Sequence, residues 1–310
     1  MELLRNVLIF HAGALGDFIL SWPLAAALGR LYPQSRIIYV TAKSKGALAE
    51  KVLRLESADL ESCWHALFSP DANLSPPQQR LLAGSHTIFS FLAGESDVWT
   101  QNVRRLATRA QVHLLCAAPP PNYPAHATTY LLDQLKPSAA IHAATDQLLR
   151  SIADRGLGTP PTPPTPGGEI LIHPGSGGRE KCWPADRFLQ LIDALQAGNS
   201  PTRTILGEVE LERFPAEEIE RFRAAGAVST PSTYLDLLKE FSSARLVIGN
   251  DSGPAHLAGI IALPTLTLFG PTDPAVWRPL GPRVRTVRHQ PLADLPVDRV
   301  LAAALQMLDQ

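Results

Sequence analysis

The feature that most limits what this chain can fold into is a repeated unit. A short, wholly apolar run is followed by a loop of glycine and polar residues, and then by a helical stretch. Asn6–Phe10 (NVLIF) precedes a glycine loop and the apolar stretch Phe18–Leu31; Arg36–Val40 (RIIYV) precedes a helix near Lys45–Leu55. His86–Leu92 (HTIFSFL) precedes a helix near Val98–Arg109, and Val112–Cys116 (VHLLC) follows. Strands that are apolar on both faces and alternate with helices belong to a parallel sheet covered on both sides.

The alternation is interrupted once, by Gly158–Gly168 (GTPPTPPTPGG), which holds five prolines. Proline lacks an N–H and fixes φ, so this segment reads as a stiff extended connector. Beyond it the pattern resumes. Strands are expected at Glu169–His173, Thr202–Leu206, Leu246–Gly249 and Thr265–Phe269, with helices at Ala185–Gln196 and Thr233–Ala244. The expected organisation is an N-terminal αβ domain over 1–158, a linker over 159–168 and a second αβ domain over 169–296. An amphipathic helix, 297–310, closes the chain and is expected to pack back toward the first domain. Its stripe of Val300, Leu301, Ala304, Leu305 and Leu308 must be buried somewhere. Two such domains imply a cleft, and open αβ sheets bind ligands beyond the carboxyl ends of their strands.

Composition removes several classes of function. With 28 basic and 29 acidic residues the formal charge is −1, so nothing global favours nucleic acid or an anionic surface. Cys63, Cys116 and Cys182 are odd in number and widely spaced, which opposes both a disulfide framework and a zinc site. The apolar start is too short for a signal-peptide core, and Leu257–Phe269 is broken by Gly259 and Pro264. The expectation is a cytoplasmic protein that binds no metal.

Three strand ends carry candidate chemistry. The first is His11–Phe18 (HAGALGDF), where Gly13 and Gly16 allow a tight turn and close approach to a ligand. Asp17 reads either as a functional carboxylate or as the cap of the helix that follows. This is half of a dinucleotide fingerprint, and no acidic residue ends the second strand to hold a ribose, so a dehydrogenase is disfavoured. The second is His173–Pro184 (HPGSGGREKCWP), where Ser176, Gly177 and Gly178 offer amides and a hydroxyl to an anion. Arg179 and Lys181 add charge at an approaching helix start, unfavourable for that dipole unless an anion is present. The third is Gly249–Gly259 (GNDSGPAHLAG). Asn250, Asp251 and Ser252 are all potential N-caps and Pro254 suits a first turn, which accounts for one polar residue but not for three. Gly253 lets the backbone approach a ligand, and His256, four residues after Ser252, shares its face or is simply a satisfied core histidine. Glu208, ending TRTILGE, could accept ribose hydroxyls or be a surface residue.

Together GALGDFILSWP, HPGSGGREKCWP and GNDSGPAHLAG…LFGPTDP…WRPLGP resemble glycosyltransferase family 9, the ADP-heptose:lipopolysaccharide heptosyltransferases. The resemblance runs from Val7 to Pro282, with the motifs in the family's order. It implies an α/β fold of GT-B type, two Rossmann-like domains whose parallel sheets face an interdomain cleft. The acceptor would bind the first domain and the nucleotide-sugar the second. It further implies inverting, metal-independent transfer with no cofactor beyond the nucleotide-diphosphate sugar co-substrate. Asp17 would be the general base; Ser176, Gly177, Gly178 and Lys181 would hold the diphosphate; Glu208 would take the ribose. Asp251, Ser252, Gly253 and His256 would meet the rest of the donor. The partners implied are a nucleotide-sugar donor and a glycan or glycolipid acceptor such as lipopolysaccharide core. No nucleic acid is implied, and a transient peripheral contact with the inner membrane face is compatible. Other readings are a different hexose transferase or epimerase of the same fold, and a non-catalytic nucleotide-sugar-binding protein. One departure concerns the acceptor: Leu55–Gln79 contains no Lys or Arg, leaving Arg104, Arg105 and Arg109 on one predicted helix, either as an acceptor surface or as a solvated face.

Overall fold

A computed structural model describes residues 5–157 and 168–309. The chain divides into two compact units. The first holds a five-stranded sheet: β1 (Arg5–Phe10), β2 (Ser35–Thr41), β3 (Glu56–Asp59), β4 (Ser85–Ser90) and β5 (Gln111–Leu114). All pairings are parallel, in the order β3-β2-β1-β4-β5. The second holds six strands: β6 (Glu169–His173), β7 (Thr202–Ile205), β8 (Ala227–Ser229), β9 (Ala244–Asn250), β10 (Thr265–Phe269) and β11 (Val284–Arg288). These too are parallel, in the order β11-β10-β9-β6-β7-β8. Counted within that unit, this is the strand order of a dinucleotide-binding fold, and its order reverses between β6 and β9.

The central strands are buried end to end because their residues are apolar on both faces. Val7, Leu8, Ile9 and Phe10 are buried in the first sheet, and Ile170, Leu171 and Ile172 in the second. In the first unit Phe10 packs edge-on against both Trp64 and Trp99. The apolar stretch Phe18–Leu31 forms two helices, Leu15–Leu20 and Trp22–Leu31. They part at Ser21, whose hydroxyl donates to the Phe18 carbonyl at 2.6 Å and meets the Tyr39 hydroxyl at 2.8 Å, just ahead of Pro23. The predicted helix near Val98–Arg109 ends at Leu106, so Arg109 lies beyond it.

Two points of organisation concern the boundary between the units and the last helix. The units divide within the helix Ala139–Arg155, between Arg150 and Ser151, and Pro124–His126 belong to the second unit. The segment just before the prolines is tied there by the Leu157 amide, which donates to the Ile260 carbonyl at 2.6 Å. The linker itself, apart from Gly168, lies outside the described residues. The helix Val297–Leu308 finds burial within the second unit. Val300, Ala303 and Ala304 enter the second unit's own core beside Leu191, Leu195, Leu246 and Ile248. The nearest uncovered apolar surface is the face of β9 and the helix Ala185–Ala197, and Arg245 fastens the end by donating to the Leu308 carbonyl at 3.1 Å. Leu305, assigned to the stripe from the sequence, is exposed. Among the described residues no helix is long and apolar enough to cross a membrane.

Candidate functional site

In the second unit, the point where strand order reverses puts the ends of β6 and β9 side by side. Backbone and side chains there lock two loops together. Asn250, fully buried, accepts the Trp183 amide proton at 3.0 Å and donates to the Pro174 carbonyl at 2.7 Å. Ser176 Oγ donates to the Asp251 carbonyl at 2.6 Å. Lys181 Nζ lies 3.3 Å from Asp251 Oδ2, and Thr272 Oγ1 donates to the same oxygen at 2.8 Å. Ser252 Oγ stands 3.4 Å from His173 Nδ1. Ser252 occupies the cap position of the helix Gly253–Ile260 without a side-chain capping bond, so none of the three polar residues at this junction caps it. They hold the loops instead.

The sequence-predicted Ser176, Gly177, Gly178, Lys181, Asp251, Ser252, Gly253 and His256 therefore share one region. Gly177 is exposed, and a Cβ there would meet nothing within 4 Å, so its Cα faces open space. Lys181 belongs to a 3-10 turn, Arg179–Lys181, that precedes the helix start at Ala185. Its side chain is about one-third exposed, which leaves it accessible to an anion. Burial alone would raise the Asp251 pKa, but His256, Lys181 and Thr272 outweigh it and hold the carboxyl below its usual range. His256 is 4% exposed, with Nε2 3.9 Å from Asp251 Oδ1 and a buried Nδ1 that has no hydrogen-bond partner.

Glu208 was expected either to take the ribose or to be a surface residue. It is exposed at the start of the helix Glu208–Arg213, while Glu210, two residues on, is buried. Glu210 accepts the Gly207 amide proton at 2.8 Å and lies 3.5 Å from His173 Nε2. Burial raises its pKa, yet His173 and the Gly207 amide more than compensate and lower it overall. A Cβ on Gly175 would overlap the Glu210 carboxylate, which explains a glycine in HPGSGG that no turn geometry required. Glu210 was missed because a helix rotation of two residues separates inside from outside, and only its position three after Gly207 hinted at a capping role. A cavity of about 220 Å³ reaches Ser176 and Glu210, with Trp183, Arg213 and Phe214 among its walls. Arg213 also donates to the Gly177 carbonyl at 3.1 Å.

In the first unit Asp17 is the third residue of the helix Leu15–Leu20, whose cap position is Ala14. The capping alternative for Asp17 is thereby excluded. Gly16 lies inside this helix and not in the loop. Gly13 is needed for close approach: a Cβ there would stand 2.8 Å from His11 Cε1 and 3.3 Å from Asp17 Cβ. Arg104 pairs with Glu95 at 2.5 Å on an exposed face, and Arg105 donates to Asn102, so these two serve the fold's surface.

A family profile described as "Glycosyltransferase family 9 (heptosyltransferase)" matches residues 104–299, more than half of the chain. The chain belongs to glycosyltransferase family 9. Lipopolysaccharide heptosyltransferase 3 of Escherichia coli (strain K12) is 33% identical over 117 residues, 36% of this chain and 33% of that protein. Lipopolysaccharide heptosyltransferase 1 of Campylobacter coli is 36% identical over 112 residues, 33% of this chain and 32% of that one. The chain thus matches about a third of the length of these curated relatives. Among solved structures, a family 9 glycosyl transferase from Veillonella parvula superposes with TM-score 0.73 at 18% identity, covering 99% of this chain and 98% of that one. The E. coli heptosyltransferase WaaC with ADP gives 0.65 at 15% identity, covering 98% and 100%. The shared fold is GT-B, and this family 9 chain has its two parallel-sheet α/β units.

Proposed function

We propose that this family 9 protein is an inverting glycosyltransferase that moves heptose from ADP-heptose to a glycan or glycolipid acceptor, lipopolysaccharide core being the acceptor class its relatives' names indicate. The observation that carries the reading is the meeting of Lys181, Ser176 and Asp251 at the reversal of strand order, beside the start of the helix Gly253–Ile260. A diphosphate needs concentrated positive character, and a lysine, free amides and a helix N-terminus supply it.

The chemistry of this reading is a single inverting displacement. Asp17 takes the proton of the acceptor hydroxyl as its oxygen attacks the anomeric carbon from the face opposite the diphosphate. The new carbon–oxygen bond forms while the bond to the diphosphate breaks, and the nucleoside diphosphate leaves with the electron pair. Lys181 and the amides of Gly177 and Gly178 stabilise the charge that develops on the leaving oxygen. Glu210 is the acid that orders the donor loop, and exposed Glu208 is the acid that takes the ribose. In this reading Lys181 takes the part a divalent cation plays in other transferases. Among the described residues no group of three or more His, Cys, Asp or Glu side chains could hold a metal ion.

The test is transfer from ADP-heptose to heptose-deficient lipopolysaccharide, with and without chelator, the anomeric configuration of the product being read by NMR. Inverted product formed in chelator is the expected result. A retained anomer, or activity that returns only with magnesium or manganese, overturns the mechanism. A thermal-shift panel of nucleotide-sugars identifies the donor, since a ligand at a hundred times its Kd adds about 2.7 kcal/mol of stability.

A further inference from the structure

Three residues from three elements converge on the peptide of Gly13. His11 follows β1, is fully buried, and accepts the Gly13 amide proton on Nδ1 at 3.2 Å. Lys45, in the first turn of the helix Lys43–Leu53, donates from Nζ to the Gly13 carbonyl at 2.6 Å. Asp17 lies against the same residue, its Oδ2 being 3.5 Å from where a Gly13 Cβ would stand. The turn is gripped at both its N–H and its C=O, with a carboxylate resting on it.

Lys45 is an expensive choice for that grip. It is 9% exposed, and a lysine in the first turn of a helix opposes the dipole. Burying an ammonium is unfavourable unless it is paired, and burial does lower the Lys45 pKa, with the charge of Asp17 acting in the opposite direction. A neutral donor could have bonded the Gly13 carbonyl at less cost. What a neutral donor could not supply is a positive charge beside Asp17. His11 does not supply one either: burial, then Lys45, brings its pKa down to about 3.

We propose that Lys45 is a positioning residue for Asp17, holding the Gly13 turn and keeping the carboxylate aligned on it. The inference rests on the reading of Asp17 as the general base, but its central element, coupling between Lys45 and Asp17, is measurable without turnover. In the full-length protein the Asp17 carboxyl is titrated by carbon-detected NMR, with Asp17→Asn for assignment. Removing a neighbouring cation disfavours the carboxylate, so Lys45→Met is expected to raise the Asp17 pKa by about one unit. The acidic limb of kcat/KM should move to higher pH with it. kcat should fall about ten- to a hundredfold through misplacement of the base. ADP affinity by calorimetry should not change, and Lys45→Arg, which keeps the charge, should hold the Asp17 titration close to that of the parent. Coupling is reciprocal, so the Lys45 pKa should fall in Asp17→Asn, which gives the same answer should Lys45→Met not fold. Unmoved titrations in both directions overturn the proposal. Normal transfer by Asp17→Asn would instead overturn the base assignment while leaving the coupling measurable.

Discussion

Lys181 Nζ and Asp251 Oδ2, 3.3 Å apart, join the loop after β6 to the end of β9. Seventy positions separate them in the chain, and only the parallel pairing of those two strands brings them together. The lysine is the more exposed partner, so an arriving anion can take it from Asp251 without unpacking the core.

Lys181→Ala is therefore expected to weaken ADP binding by about 1.5–3 kcal/mol, the range for a charge-assisted contact, about ten- to a hundredfold in Kd. Stability should change little, because a partly exposed pair contributes on the order of 1 kcal/mol or less. Calorimetry with ADP and a thermal melt on the same sample separate the two effects, and an unchanged Kd would remove Lys181 from the diphosphate site.

For Asp17→Asn the expectation is the reverse. ADP affinity should survive, while transfer falls by roughly 10²–10⁴, the usual worth of a positioned base. Because Asp17 is not the helix cap, the folding cost should come from a fraction of about 1 kcal/mol of dipole interaction and from the countercharge lost to Lys45. Loss of ADP binding as large as that in Lys181→Ala would make Asp17 a donor ligand.

Glu208 and Glu210 can be told apart by one pair of variants. Glu210→Gln leaves buried His173 without its carboxylate and should cost about 1–3 kcal/mol in urea unfolding, with weaker ADP binding. Glu208→Gln, at an exposed site, should stay within about 0.5 kcal/mol. Weaker ADP binding by Glu208→Gln would identify Glu208 as the ribose ligand, and unchanged binding would leave it a surface residue.

His11 makes stability depend on pH. Its pKa is about 3 in the fold against an ordinary 6.5, because burial and then Lys45 disfavour the cation. Between those values the unfolded chain binds one more proton than the folded one. Stability due to this group is therefore intact above 6.5 and falls with decreasing pH, by about 1.4 kcal/mol per pH unit well inside the window. His11→Asn, which keeps an acceptor for the Gly13 amide, should lose less stability than the parent between pH 7 and 5. Parallel urea-derived curves for the two proteins would count against the depressed histidine.

The alternation of apolar runs and helices determined the fold class, because a strand buried on both faces cannot hide its composition. The central strands β1, β2, β4, β6, β9 and β10 were legible for that reason, as were the three loops that follow β1, β6 and β9. Three of the four edge strands, β3 (ESAD), β8 (AVS) and β11 (VRTVR), were not, since an edge needs pairing more than apolar surface; the fourth, β5, was read from its apolar run VHLLC. Motif order also placed Ser176, Lys181, Asp251 and Asp17 at strand ends. The tertiary structure decided what those residues touch. Asn250 cross-links two loops where three caps were conceivable, Glu210 is buried against His173 while Glu208 is exposed, and Val297–Leu308 closes the core of its own unit. Lys45 showed no signal in the chain, because its partner, the Gly13 carbonyl, is a backbone atom 32 positions away. Periodicity records which face of an element is buried; which polar group lies across from it is set by strand order and helix rotation, and those exist only once the sheet has formed.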